Sequence, residues 1–125
     1  MRLLLDTQSI LWHLSGERTL STDATEAMEA ADDILLSVVS YAEIGIKVSV
    51  GKLEVPNDLQ EQVAATGVRT LALTAVHGLK VSRLPMHHRD PFDRLLIAQA
   101  LVEGLTVVTP DRRFSDYEVA VVEAV

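Results

Sequence analysis

Five short runs of leucine and β-branched residues, Leu3 to Leu5, Ile34 to Val39, Arg69 to Leu73, Thr106 to Thr109 and Val119 to Val122, alternate with stretches of helical pattern. Apolar runs this short, bounded by turn residues, are predicted strands. The predicted helices are Ser9 to Leu14, Ser21 to Ala31 with Ser21 or Thr22 as cap, Tyr41 to Val50 ending at Gly51, Pro56 to Ala65 ending near Gly67, Thr74 to Val81 stopping before Pro85, and Pro91 to Glu103 ending at Gly104. Strand–helix–strand alternation calls for right-handed crossovers, which return the chain to the same end of the sheet and pair the strands in parallel. The expectation is an α/β fold, a mostly parallel central sheet of about five strands with helices on both faces. A length of 125 residues fits one domain, 1–125, that buries roughly two-thirds of its unfolded surface.

The punctuation of this pattern is acidic. Asp6, Glu43, Asp93 and Asp111 each stand where a strand-like run gives way to a helix start. In a parallel sheet, ligands collect beyond the carboxyl ends of the strands, so side chains from separate junctions converge there. Clustered carboxylates repel one another unless a cation sits among them, and hard divalent ions take oxygen ligands beside phosphates. Metal-assisted phosphodiester hydrolysis is the first functional expectation.

Each acid also has a purely structural explanation. Asp6 can cap the helix that follows it, Ser40-Tyr41-Ala42-Glu43 has the form of a capping box, and Asp90-Pro91-Phe92-Asp93 combines a cap, a first-turn proline and a dipole-complementing acid. Thr109-Pro110-Asp111 repeats that design one residue shorter. On this reading the chain is a noncatalytic α/β interaction module whose acidic surface binds a basic partner. The end of the first strand, which usually lies centrally in such sheets, favours function for Asp6.

The net charge of −7 argues against a protein that coats nucleic acid, because nonspecific affinity rests on lysine and arginine. Contact with nucleic acid must be local. Arg89 and Arg94 flank the Asp93 motif and can grip phosphate bidentately, or else belong to an ordinary solvated helix start; Arg112 and Arg113, after Asp111, carry the same ambiguity. Lys47 stands four residues after Glu43 and is expected to pair with it. His87 and His88 lie in a polar connection, and neighbouring histidines do not face one site on regular structure, so neither is expected to ligate. The absence of cysteine excludes disulfides and thiolate chemistry. The apolar start, Met1 to Leu5, is too short for a signal-peptide core, and no run spans a bilayer, so a cytoplasmic location is the default expectation. No G-x-x-x-x-G-K-[ST] string is present, which disfavours a P-loop nucleotidase.

Taken together, Leu3-Leu4-Leu5-Asp6-Thr7, Ser40-Tyr41-Ala42-Glu43-Ile44-Gly45-Ile46-Lys47, Gly51-Lys52-Leu53, Asp90 through Ala100 and Thr109-Pro110-Asp111 resemble a PIN-domain nuclease, more narrowly the VapC-type toxins of toxin–antitoxin pairs. The resemblance runs from residue 2 to about residue 123. It implies a three-layer α/β/α sandwich, with Asp6, Glu43 and Asp93 as core carboxylates, Asp111 as the fourth, and Asp6 and Asp93 closest to the metal. Asp93 is favoured over Asp90, which becomes the cap. It further implies that the Thr7 and Ser40 hydroxyls bind water or a carboxylate at the site, that Mg²⁺ or Mn²⁺ is the cofactor, and that RNA is the substrate. The partners it implies are a small cognate antitoxin and a second copy of the chain in a homodimer.

Overall fold

Strands β1 (Arg2–Leu5), β2 (Asp33–Ser37), β3 (Arg69–Leu71), β4 (Thr106–Thr109) and β5 (Val121–Glu123) form one sheet in the order β3-β2-β1-β4-β5 in the computed structural model, which describes residues 1–125. Every pairing is parallel, with Leu4 opposite Leu35 on one side and Val107 on the other. The chain winds outward from β1 through β2 to β3, then crosses back to lay β4 on the opposite edge of β1. That reversal opens a crevice between β1 and β4 at their carboxyl ends, where open α/β sheets bind ligands.

Six helices connect the strands: α1 (Thr7–Ser15), α2 (Thr22–Ala30), α3 (Val38–Ser49), α4 (Leu59–Ala65), α5 (Ala75–Lys80) and α6 (Pro91–Glu103). Leu3 and Leu5 face one core with Ile10 of α1, Ala24 and Ala27 of α2 and Val63 of α4. Leu4 faces the other, with Val39 of α3 and Leu96, Ile97 and Ala100 of α6. A strand covered on both faces has no solvent-facing residues, which is why β1 is written as an unbroken leucine run. The three layers are therefore α/β/α, and the sheet is entirely parallel. No helix is long and apolar enough to cross a membrane.

The boundaries differ from expectation in places that matter for the site. The run Ile34 to Val39 straddles a junction: β2 stops at Ser37, whose hydroxyl accepts the Val39 N–H at 3.0 Å and starts α3 at Val38. Hydrophobicity continues past the strand because Val39 packs in the core from the first helical turn. The helix expected from Pro56 begins at Leu59, and the helix expected to run to Val81 gives way to a 3-10 turn over Val81–Arg83. A second 3-10 turn, Arg112–Asp116, follows β4 and was not anticipated. Its Phe114 is completely buried, so a residue of a polar-looking connection anchors that turn in the core.

Candidate active site

Asp6 leaves the carboxyl end of β1 while its N–H still donates to the Val108 carbonyl at 3.0 Å, so the sheet fixes its backbone. It caps α1: Oδ1 accepts the Ser9 N–H at 2.9 Å, and Oδ2 accepts the Thr109 hydroxyl at 2.6 Å. Thr109 is the last residue of β4, and its Oγ1 in turn accepts the Asp111 N–H at 3.0 Å. One hydroxyl thus ties Asp6 to the Asp111 backbone across the crevice where the strand order reverses.

Glu43 belongs to α3, and the capping box expected between it and Ser40 is not formed, because the helix starts earlier at Val38 with Ser37 as its cap. Freed from that task, Glu43 places Oε1 2.8 Å from Thr7 Oγ1 and receives Lys47 Nζ on Oε2 at 2.7 Å. Thr7 Oγ1 also lies 2.9 Å from Ser40 Oγ. With a single proton to give, Thr7 donates to the carboxylate, the stronger acceptor, and takes the Ser40 proton. The interaction-module reading, in which the acids only cap helices, leaves Glu43 unexplained.

Asp90 is the cap of α6, its Oδ1 accepting the Asp93 N–H at 2.9 Å, and Pro91 follows at the first helical position. Asp93 then projects from the first turn, where side chains lean toward the helix start. Asp111 caps the 3-10 turn after β4 and is gripped by Arg113, whose Nε and Nη2 lie 3.0 and 2.9 Å from its two oxygens. Asp6, Glu43, Asp93 and Asp111 all line one cleft of about 380 Å³, together with Asp90, Thr7, Gln8, Lys47 and Lys52.

Several expected contacts are relocated. Arg94 is buried, and its guanidinium is spent on the carbonyls of Val81, Leu84, Pro85 and His88 and on Tyr117 Oη. It cannot grip a phosphate; it organises the loop before α6. Arg89 is exposed and does not line the cleft. Ser40 is fully buried and reaches the site only through Thr7, so it offers no surface to a substrate. The cationic side chains of the cleft are Lys47, which forms the expected pair with Glu43, and Lys52. His88, set aside in the sequence, is buried with Nε2 2.8 Å from Asp93 Oδ2 and 3.2 Å from Asp111 Oδ2. His87 is exposed with its ring edge-on to Tyr117. Of two adjacent loop residues one turns inward, which adjacency in sequence does not reveal. The available signal was the spacing His88, Asp90, Asp93 around a helix cap. Thr109 was missed as well; a hydroxyl closing the strand next to the crevice was its mark.

Five acids against two lysines give the cleft an acidic lining. Burial pushes the Asp6 carboxyl above its usual range, more than the hydrogen bonds from Ser9 and Thr109 can offset. Burial, then the neighbouring Asp90, push Asp93 up to about 7. Burial acts on Asp111 in the same sense, but the hydrogen bonds from Arg113 outweigh it and hold that carboxyl low. Raised values at Asp6 and Asp93 mean that the protein alone penalises their ionised forms. A divalent cation held by oxygen ligands removes that penalty, so the residues present fit such an ion.

The same shift has a stability consequence. Between 3.8 and about 7 the folded state holds a proton on Asp93 that the unfolded chain has released, so stability falls as pH rises through that interval. Asp93→Asn is therefore expected to stabilise the chelator-treated protein by on the order of 1–3 kcal/mol at about pH 8, and to change it little near pH 4. Urea unfolding at both pH values measures this. Equal stability of the two proteins at the higher pH would contradict it.

A parallel sheet with acids meeting at its topological reversal defines a class, and the PIN-domain family model matches residues 3–120; the chain belongs to that family. Among its relatives is Ribonuclease VapC22 of Mycobacterium tuberculosis, 30% identical over 118 residues that cover 92% of this chain and 91% of that protein. Solved structures of similar fold include VapBC2 from Rickettsia felis bound to a DNA fragment from their promoter, with a TM-score of 0.72, 16% identity and 98% of each chain covered. FitAcB from Neisseria gonorrhoeae is another, with a TM-score of 0.68, 22% identity, and 97% of this chain and 96% of that one covered.

Proposed function

We propose that the chain is a metal-dependent endoribonuclease, the toxin of a toxin–antitoxin pair, with Asp6, Glu43, Asp93 and Asp111 as its working carboxylates. The observation that carries this reading is the convergence of those acids on one cleft in a chain 30% identical to a ribonuclease. Asp6 and Asp93 are the residues to hold Mg²⁺ or Mn²⁺, with Glu43 and Asp111 completing the oxygen set. The ion, when bound, neutralises negative charge and polarises a phosphoryl oxygen.

The remaining steps belong to the protein. Thr7 and Lys47 fix both oxygens of Glu43, so that carboxylate meets its ligand already oriented. Lys47 and Lys52 supply positive charge to the phosphate backbone, the task expected of Arg89 and Arg94. Thr109 holds Asp6 in place by the short bond to Oδ2.

An acidic cleft suits an antitoxin segment that inserts a basic side chain across it. A homodimer is part of the same reading, tested by native mass, and an RNA substrate agrees with a cytoplasmic location. Incubation with single-stranded RNA in Mn²⁺ is expected to yield cleavage that chelator abolishes and Asp93→Asn lacks. Cleavage that is insensitive to chelator and equal in the variant would overturn the proposal.

A further inference from the structure

His88, Asp93 and Asp111 offer one ligand atom each within 4.8 Å of one another, an arrangement that on distance alone suits a three-ligand metal centre. The ring's other nitrogen argues otherwise. His88 Nδ1 accepts the Asp90 N–H at 3.3 Å, which places the ring proton on Nε2. To ligate through Nε2, the imidazole would have to carry its proton on Nδ1, facing a backbone donor. Ligating histidines do the reverse, donating their second ring N–H to an acceptor.

We infer that His88 is a positioning residue, a fixed Nε2–H donor that aligns Asp93 for the cation, stands close beside Asp111, and does not itself bind the ion. Its own placement is firm. The His88 N–H donates to Tyr117 Oη at 2.9 Å, its carbonyl accepts from Arg94 at 3.4 Å, and its ring meets Phe114 edge-on at 6.1 Å. The donor therefore belongs to the rigid wall of the cleft. Asp93 comes from the start of α6 and Asp111 from the turn after β4, and His88 is the side chain that both approach. Hydrogen-bonding Oδ2 of Asp93 leaves its Oδ1 for the ion.

This inference rests on the metal-dependent reading above, and the test separates the two. Mn²⁺ binding to the whole chain is measured for wild type, His88→Leu and His88→Gln, and pulsed EPR is recorded on the Mn²⁺-loaded wild type. Leucine removes the donor, whereas the glutamine amide restores an N–H near the Nε2 position. The dissociation constant is expected to rise about 10–100-fold in His88→Leu and to stay within about threefold of wild type in His88→Gln, as for loss and replacement of an outer hydrogen-bond partner. The wild-type spectrum is expected to lack the coupling of a directly bonded ¹⁴N, a readout that does not depend on either variant folding. A strong directly bonded ¹⁴N coupling, or unchanged affinity in folded His88→Leu, would overturn the role of His88 while leaving the nuclease reading intact. Failure of the wild type to bind Mn²⁺ would overturn both.

Discussion

Asp6→Asn is expected to lower single-turnover RNA cleavage by about 10²–10⁴-fold, the equivalent of roughly 3–5 kcal/mol of lost transition-state stabilisation. Asp6 is the most constrained of the acids: its backbone is paired to β4, both carboxylate oxygens are bound by protein donors, and its side chain is almost wholly buried. Asparagine keeps the shape and one oxygen for the Ser9 N–H, so α1 retains its cap. What disappears is a negative charge at the middle of the crevice. Loss of activity with an unfolding midpoint no lower than that of wild type is the expected pair of results, read from quenched-flow cleavage and urea titration of the same preparations. Activity within about threefold of wild type would remove Asp6 from the reaction.

The second large effect is on stability. Arg94→Leu is expected to destabilise the protein by about 3–5 kcal/mol, because a buried guanidinium gives way to a side chain with no donors. The carbonyls of Val81, Leu84, Pro85 and His88 would lose their shared partner, at distances now between 2.9 and 3.4 Å, and Tyr117 Oη would lose one of its own. Leucine matches part of the volume, so the cost reports unsatisfied polar groups rather than a cavity. Urea unfolding measures it; a change below about 0.5 kcal/mol, the range of an ordinary surface substitution, would mean that the loop finds other partners. Arg94→Lys is expected to recover only part, since one ammonium cannot span acceptors set around a planar fork.

Arg94 also marks where the sequence stops being legible. An arginine in the first turn of a helix, next in sequence to an acid of the cleft, has the local signature of a phosphate ligand. Its actual role depends on a loop ten residues earlier folding over it, and loop paths are decided by which buried carbonyls need donors. The same limitation hid His88. By contrast, the sheet and the acids were readable because they rest on short-range regularities. Leu3, Leu4 and Leu5 are all buried only if both faces of β1 are covered, and that alone implies helices above and below. Asp90 and Pro91 fix the start of α6 to the residue, which places Asp93 one turn in. Glu43 shows both sides of the matter: its convergence on the cleft was anticipated, while the alternative capping box around it does not form, because Ser37 takes the cap three residues sooner.

The central claim is that acids far apart in sequence meet around a divalent ion, and anomalous diffraction from crystals grown with Mn²⁺ tests it most directly. A manganese peak in the crevice between β1 and β4, within ligand distance of carboxylate oxygens of Asp6 and Asp93, is the expected result. A well-ordered cleft with no peak there, at a Mn²⁺ concentration that supports cleavage, would contradict it.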